Sequence, residues 1–346
     1  MSKKKPEKTD ISALGEFGLI RHLTDGIKSV RKTTYYGVGD DAAVIDAVQQ
    51  MVLVTTDLLL EGIHFNLVYT PLKHLGYKAV VVNLSDIYAM NGMPEQITVS
   101  LGISSKFSVE NLDELYGGIK RACENYQVDL VGGDTSSSLT GLNISITAIG
   151  QAKKEDIVFR NGASEHDLIC VSGTLGGAYM GLQLLERERQ LFEGNAHVRR
   201  SLEGHEYIMS RQLKPEARGD IITGFLKHGF KPTAMIDLSD GLSSDLLHIT
   251  RSSGLGCRVH TGKIPVSDPT REMAAEFHLD PLIAALSGGE DYELLFTVAT
   301  GDLEKVHAMD DISIIGHMVK AEEGEMLIGP DGSTVKIEAQ GWQHLA

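Results

Sequence analysis

Residues 234–242 read Ala-Met-Ile-Asp-Leu-Ser-Asp-Gly-Leu: a short apolar strand (234–236) runs into Asp237 and a Ser/Gly turn, and a helix follows Asp240. The same alternation recurs upstream. Val44-Ile45 and residues 51–55 are apolar, β-branched runs that predict strands. Residues 73–90 carry helical spacing, and residues 97–103 (ITVSLGI) predict a strand. Residues 109–126 predict an amphipathic helix, Leu130-Val131 a buried strand, and residues 142–150 (LNISITAIG) another strand. A helix is predicted at residues 16–25, and residues 1–10 (MSKKKPEKTD) read as a flexible tail.

Residues 151–166 form a polar connection, which divides the chain into a domain at 11–150 and another at 151–346. The second half adds strands at 168–172, 292–298, 312–315 and 326–328, and charge-dense solvated helices across 184–214. The expected class is α/β (α+β), with two mixed α/β domains.

The chain has 346 residues, 42% hydrophobic and 23% charged, which suits two domains with a substantial core and excludes a disordered chain or a disulfide-stapled miniprotein. Lys and Arg number 32 against 47 Asp and Glu, a net charge of −15, so no basic footprint for nucleic acid is expected. An acidic chain binds phosphorylated small molecules when metal ions supply the positive charge. Cys123, Cys170 and Cys257 form no CxxC pair and read as reduced core residues of a cytoplasmic protein. No signal-peptide pattern and no run approaching about 18 apolar residues is present, so no membrane association is expected.

Six acidic clusters carry the chemistry: Gly39-Asp40-Asp41, Thr55-Thr56-Asp57, Asn83-Leu84-Ser85-Asp86, Gly132-Gly133-Asp134-Thr135, Asp237-Leu238-Ser239-Asp240-Gly241 and Gly288-Gly289-Glu290-Asp291. Any one Asp is explained by the liking of Asp for turns and helix N-caps. Six such clusters with hardly a Lys or Arg beside them are a different matter. If they converge, mutual repulsion demands cations, and hard oxygen ligands select Mg²⁺. Several such ions suit a triphosphate.

Other signals are weaker. Gly37-Val38-Gly39-Asp40-Asp41-Ala42 matches a dinucleotide fingerprint in letters, but it leads into a strand rather than a helix. Gly262-Lys263 lacks the Ser/Thr and the upstream glycine of a phosphate-binding loop. Gly173-Thr174-Leu175-Gly176-Gly177 fits either a phosphate cradle or a tight turn. His64 fits a structural or a binding role, Arg160 a phosphate or a surface carboxylate, and Trp342 terminal packing or stacking on a heterocycle.

Taken in order, these blocks resemble the thiamine-monophosphate kinase family of the aminoimidazole-ribonucleotide synthetase-like ATP-binding superfamily. The resemblance also rests on Gly15-Glu16-Phe17, Gly62-Ile63-His64-Phe65, Arg160-Asn161-Gly162-Ala163, Leu213-Lys214-Pro215 and Gly341-Trp342, and it covers nearly the whole chain after residue 14. It departs where Asn91 precedes Gly92 after Ala89-Met90. The resemblance implies an N-terminal ATP/Mg-binding domain that forms a barrel-like core in a homodimer, with the second domain packed beside it. It implies ATP-dependent phosphorylation of thiamine monophosphate with several Mg²⁺ ions. The metal ligands it implies are Asp41, Thr55, Thr56, Asp57, Asp86, Asp134, Asp237 and Asp240. Tyr116, Gly133, Asp134, Arg160 and Ser239 would contact ATP, and His64, Glu290 and Trp342 the thiamine phosphate. No side chain is implied as general base or nucleophile. The competing readings are another ATP-using enzyme of the superfamily, acting on a purine precursor, and a non-catalytic Mg-nucleotide binding module.

Overall fold

Two mixed sheets organise the chain, as seen in a computed structural model that describes residues 34–36, 40, 43–47, 50–194 and 202–339. The predicted tail and helix before residue 26, Asp41 and Trp342 lie outside the described residues.

The first half contains β1 (Thr34–Tyr36), β2 (Ala43–Ala47), β3 (Gln50–Leu60), α1 (Leu72–Ala89), β4 (Met93–Ile103), α2 (Val109–Tyr126), β5 (Asp129–Ser137) and β6 (Leu142–Ala152). Their sheet has the order β1-β2-β3-β6-β4-β5. Among the described strands of this sheet, only β4 and β5 pair in parallel, and α2 is the crossover that this pairing requires.

The second half contains β7 (Leu168–Ser172), α3 (Gly177–Gly194), α4 (Glu206–Leu213), α5 (Gly219–His228), β8 (Ala234–Asp237), α6 (Leu242–Ser253), β9 (Leu255–His260), α7 (Asp268–Glu276), α8 (Pro281–Ser287), β10 (Leu294–Val298), α9 (Leu303–His307), β11 (Ile312–Lys320), β12 (Glu325–Ile328) and β13 (Thr334–Lys336). The second sheet runs β13-β12-β9-β11-β7-β10-β8.

Helix α1 joins the two halves. Every residue from 75 to 85 is buried, so this helix is enclosed on all sides rather than amphipathic. It packs on α2, β3, β4 and β6 and reaches β8 of the second sheet. Helix α2 is amphipathic as its spacing predicts, burying Leu115, Gly118, Ile119 and Ala122, and Ser108 with Asn111 forms its capping box. The two helices touch at their backbones. A Cβ on Gly118 would lie 1.9 Å from the Lys73 carbonyl oxygen, and one on Gly76 would lie 2.0 Å from that of Leu115.

One expectation is corrected. The apolar Leu130-Val131 strand is not buried: β5 is exposed along its length, with Val131 at 57%. It is the outermost strand of its sheet, so its burial depends on pairing that an apolar run does not reveal.

Gly118→Ala is expected to cost roughly 2–3 kcal/mol, the usual penalty for overpacking a closed contact. Urea unfolding of the variant measures it, and an unchanged midpoint would contradict the helix contact.

Candidate functional site

The acidic residues reach a common cavity from elements far apart in sequence. On β3, alternation puts Thr55 and Asp57 on the face toward α1. The Thr55 hydroxyl donates to Asp86 Oδ2 at 2.6 Å, and Asn83 Oδ1 accepts from the Asp57 backbone N–H at 3.0 Å. One turn of α1 therefore carries both Asp86 and the residue that fixes Asp57. Thr56 points to the other face, where its hydroxyl donates to the Ile146 carbonyl at 3.0 Å. The structure thus separates Thr56 from its two neighbours.

From the second sheet, Asp237 ends β8 and accepts from the Ser85 hydroxyl at 2.7 Å. Asp240 sits in the following turn, and its backbone N–H donates to Asp245 Oδ2 at 3.2 Å. Burial, then Asp240 and Asp237, hold the Asp245 carboxyl well above the usual carboxylate range. The phenol of Tyr292 is likewise pushed up, by burial and then by Glu290, Asp57, Asp237 and Asp86. Both shifts report one negative field.

Asp57, Asp86, Asp237, Ser239, Asp240, Glu290 and His64 all line this cavity of about 610 Å³. His64 Nδ1 accepts from the Leu60 backbone N–H at 2.9 Å. That bond assigns the proton of the neutral ring to Nε2. Glu290 is held 2.8 Å from the buried ammonium of Lys78, and Gln212 Nε2 donates to its other oxygen at 2.7 Å. Lys78 also donates to the Gln212 carbonyl at 3.0 Å, while Gln212 Oε1 is buried without a hydrogen-bond partner. At another part of the wall, burial and a hydrogen bond to Glu186 push the Tyr69 phenol up.

The other residues fall elsewhere. Tyr116, Gly133 and Asp134 line a separate hollow of about 550 Å³ along β5. Arg160 lies 3.4 Å from Asp40, outside the lining of the cavity. The Gly173–Gly177 loop is a tight turn whose amides the chain itself uses: Gly176 and Ala178 donate to the buried Asp291 carboxylate at 2.6 and 3.3 Å. Burial pushes Asp291 up to about 6, against the pull of Arg211.

Among the described residues, no three His, Cys, Asp or Glu side chains close on one point as a self-sufficient metal site. The acidic side of the cavity offers the carboxylates of Asp57, Asp86, Asp237 and Asp240 and the Ser239 hydroxyl. That chemistry fits Mg²⁺, which takes one or two carboxylates, keeps waters and completes its shell with substrate phosphates.

Sequence reasoning missed Lys78, Gln212, Asp245 and Tyr69. Lys78 carried a signal: it is a single charge opening the run Ala79-Val80-Val81-Val82, where only a paired cation can be buried. The others carried none.

An acid-lined cavity between two mixed sheets places the chain in a known class. Residues 39–152 match the family described as AIR synthase related protein, N-terminal domain. The chain is 35% identical to the thiamine-monophosphate kinase of Aquifex aeolicus (strain VF5) over 96% of this chain and 99% of that protein. It is 34% identical to that of Escherichia coli (strain K12), with the same coverage. The solved structure of AaThiL complexed with AMPPCP and TMP superposes with a TM-score of 0.83 at 33% identity, covering 97% of this chain and 99% of that one. Hydrogenase maturation protein HypE in complex with ATP shares the fold alone, at 18% identity and a TM-score of 0.68 over 97% of this chain and 99% of that one. The chain belongs to the thiamine-monophosphate kinase family.

Lys78→Met leaves Glu290 with Gln212 alone and is expected to destabilise by about 1–2 kcal/mol, below the scale for a fully buried pair because Glu290 is 31% exposed. The double variant Lys78→Met/Glu290→Gln should recover part of this in thermal unfolding. No recovery would contradict the pairing.

Proposed function

We infer that the protein transfers the γ-phosphate of ATP to thiamine monophosphate, giving ADP and thiamine diphosphate. The acid-lined cavity in a chain matching thiamine-monophosphate kinases almost end to end carries this reading. The AaThiL complex with AMPPCP and TMP supports it.

The nucleophile is a phosphate oxygen of thiamine monophosphate. Its second pKa lies near about 6, so it is largely dianionic at neutral pH and needs no general base. The chain's task is alignment and charge management, consistent with direct in-line transfer. Magnesium, when bound, neutralises the phosphates that must approach each other. Asp57, Asp86, Asp237 and Asp240 present the oxygens that would hold it. Thr55 and Ser85 donate to the carboxylates of Asp86 and Asp237, and Asn83 fixes the Asp57 backbone, all by neutral groups. Asp41, Thr56 and Asp134 complete the proposed metal set; Tyr116, Gly133, Arg160 and Ser239 are assigned to ATP, and His64, Glu290 and Trp342 to thiamine phosphate.

Two further features belong to this reading. A homodimer covers the exposed β5 edge with its Leu130 and Val131, next to the hollow of Tyr116, Gly133 and Asp134. The two sheets support a division into two domains at the polar connection after residue 150. No helix among the described residues is long and apolar enough to cross a membrane, and the cytoplasm is the proposed location.

Phosphorus NMR of the protein with ATP, MgCl₂ and thiamine phosphate tests the reaction. ADP and thiamine diphosphate should rise together, only when thiamine phosphate is present. ATP persisting with folded protein would favour the binding-module reading. Asp57→Asn should lower kcat/KM by about 100-fold or more, the scale of losing one electrostatic stabiliser, with an unchanged Tm. Activity near wild type at limiting Mg²⁺ would remove Asp57 from the site. Val131→Glu should halve the mass in light scattering if β5 is the dimer edge, and an unchanged mass would place the interface elsewhere.

A further inference from the structure

The second sheet has two unlike faces. One buries Ile169, Val171, Cys257 and Val259 against α6 and α8. On the other, Cys170, Phe296 and Val298 join the core shared with the first half. That cover runs out toward β9. His317 on β11 is opposite Leu168 on β7 and opposite Arg258 on β9, so all three share this face. His260, two residues beyond Arg258, shares it too. The loop before β7 is zipped to β11, with His166 N–H donating to the Met318 carbonyl at 3.0 Å and Met318 N–H to that of Asp167 at 2.8 Å.

The result is a hollow of about 320 Å³ that shares no lining residue with the acid-lined cavity. Leu168, Ile314 and Gly316 give it apolar and backbone surface. His166, His260, His317 and Lys263 give it ring nitrogens and an ammonium, and Thr300 gives a hydroxyl. No carboxylate is among the described residues that line it. In a chain of net charge −15, four cationic or protonatable groups around one carboxylate-free hollow are a marked local reversal.

We propose that this hollow binds the phosphate group of a small phosphate ester or of free phosphate. A metal ion fits less well. Three imidazoles would have to converge on one point, and no such group of three exists among the described residues. A phosphate is wider, accepts hydrogen bonds on every side, and is matched by imidazolium, ammonium and hydroxyl donors at larger spacing. The apolar surface of Leu168 and Ile314 suits a flat or apolar body attached to the phosphate.

Binding at this place must be linked to protons. Burial, then His260, Arg258 and His166, hold the His317 imidazole below its ordinary range, with Glu323 opposing them. A dianion among these rings reverses that balance and draws protons on. Two carboxylates on the flanking elements are engaged away from the hollow, Glu323 3.4 Å from Arg258 and Asp302 2.7 Å from Lys305, while Glu165, 3.6 Å from His166, competes with the anion for that one ring. Asp167 accepts from the Ser164 N–H and the Thr233 hydroxyl. Affinity therefore rises as pH falls through the histidine range.

The test is histidine NMR of the full chain in EDTA, with phenyl phosphate and inorganic phosphate as probes and resonances assigned by single His→Gln variants. The expected result is a saturable shift of the His166, His260 and His317 ring resonances, with Kd about fivefold or more lower at pH 6.0 than at pH 8.0. Lys263→Met, on an exposed side chain, should weaken binding by about fivefold, the scale of one charge-assisted contact. Tighter binding of phenyl phosphate than of inorganic phosphate assigns the site to an ester with an apolar body; equal binding assigns it to the phosphate group alone. No shift of the three rings overturns the proposal, as do shifts indifferent to pH and to Lys263→Met. Changes confined to His64 would place the anion in the acid-lined cavity and also overturn it.

Discussion

The ammonium of Lys78 lies within an enclosed helix, 2.8 Å from Glu290, and the cavity hangs on that contact. A cation 4% exposed is tolerable only when it is paired and hydrogen-bonded. Lys78 finds its partners in two separate stretches of the second half: Glu290 beyond α8, and the Gln212 carbonyl at the end of α4. The loop bearing Glu290 is strained into place. Glu290 and Tyr292 both have positive φ, at 58° and 52°, and the Glu290 and Tyr292 amides donate to the Ser239 and Leu238 carbonyls. The turn that carries Asp240 is thereby tied to the loop that carries Glu290, and both are tied to α1.

Because α1 is buried on every side, it acts as a fixed rack. Asn83, Ser85 and Asp86 sit within one turn of a helix that cannot shift without disturbing both cores; Asn83 and Asp86 engage β3, and Ser85 reaches the end of β8. This is the preorganisation an electrostatic site requires, since donors and charges fixed before substrate arrives need no rearrangement during reaction. The chain also sorts its carboxylates. Glu293 is held by Arg211 and Arg218, and Asp291 by Arg211 and two backbone amides, deep beside α3. Those acids hold structure. Around the cavity, Asp86 and Asp237 accept from hydroxyl donors, the Asp57 backbone N–H donates to Asn83, and Glu290 pairs with Lys78; the field of these acids raises the proton affinity of Asp245 and Tyr292.

Local periodicity made much of the fold readable. The helices at Leu72–Ala89 and Val109–Tyr126 match their predicted spans to within a residue; amphipathic spacing and the Ser108 cap fix the second, while the first starts after Pro71 with no side-chain cap and is buried on all sides. Strand β8 and its acidic turn were readable for the same reason. The exposure of β5 was not. An apolar run says that a strand wants cover; it does not say which chain supplies it. Thr56 shows a finer limit: Thr55-Thr56-Asp57 looks like one cluster as letters, yet a strand's two-residue period must send the middle side chain to the opposite face. Lys78 and Gln212 act through Glu290, which becomes their neighbour only after folding, and Ser85 and Asp237, which touch, are 152 residues apart.

Charge is sorted at the level of the whole chain as well. The acid-lined cavity lies where α1 meets both sheets, while histidines and Lys263 gather at the β9–β11 end of the second sheet. A net charge of −15 describes neither place. What each surface can attract depends on the charges within about a Debye length of it, roughly 8–10 Å at ordinary salt. An acidic protein that handles anionic substrates therefore needs cations brought to the first place and has its own protonatable groups at the second. Whole-chain charge excludes broad partner classes; the side chains that share one face of a strand decide which ion is drawn to it.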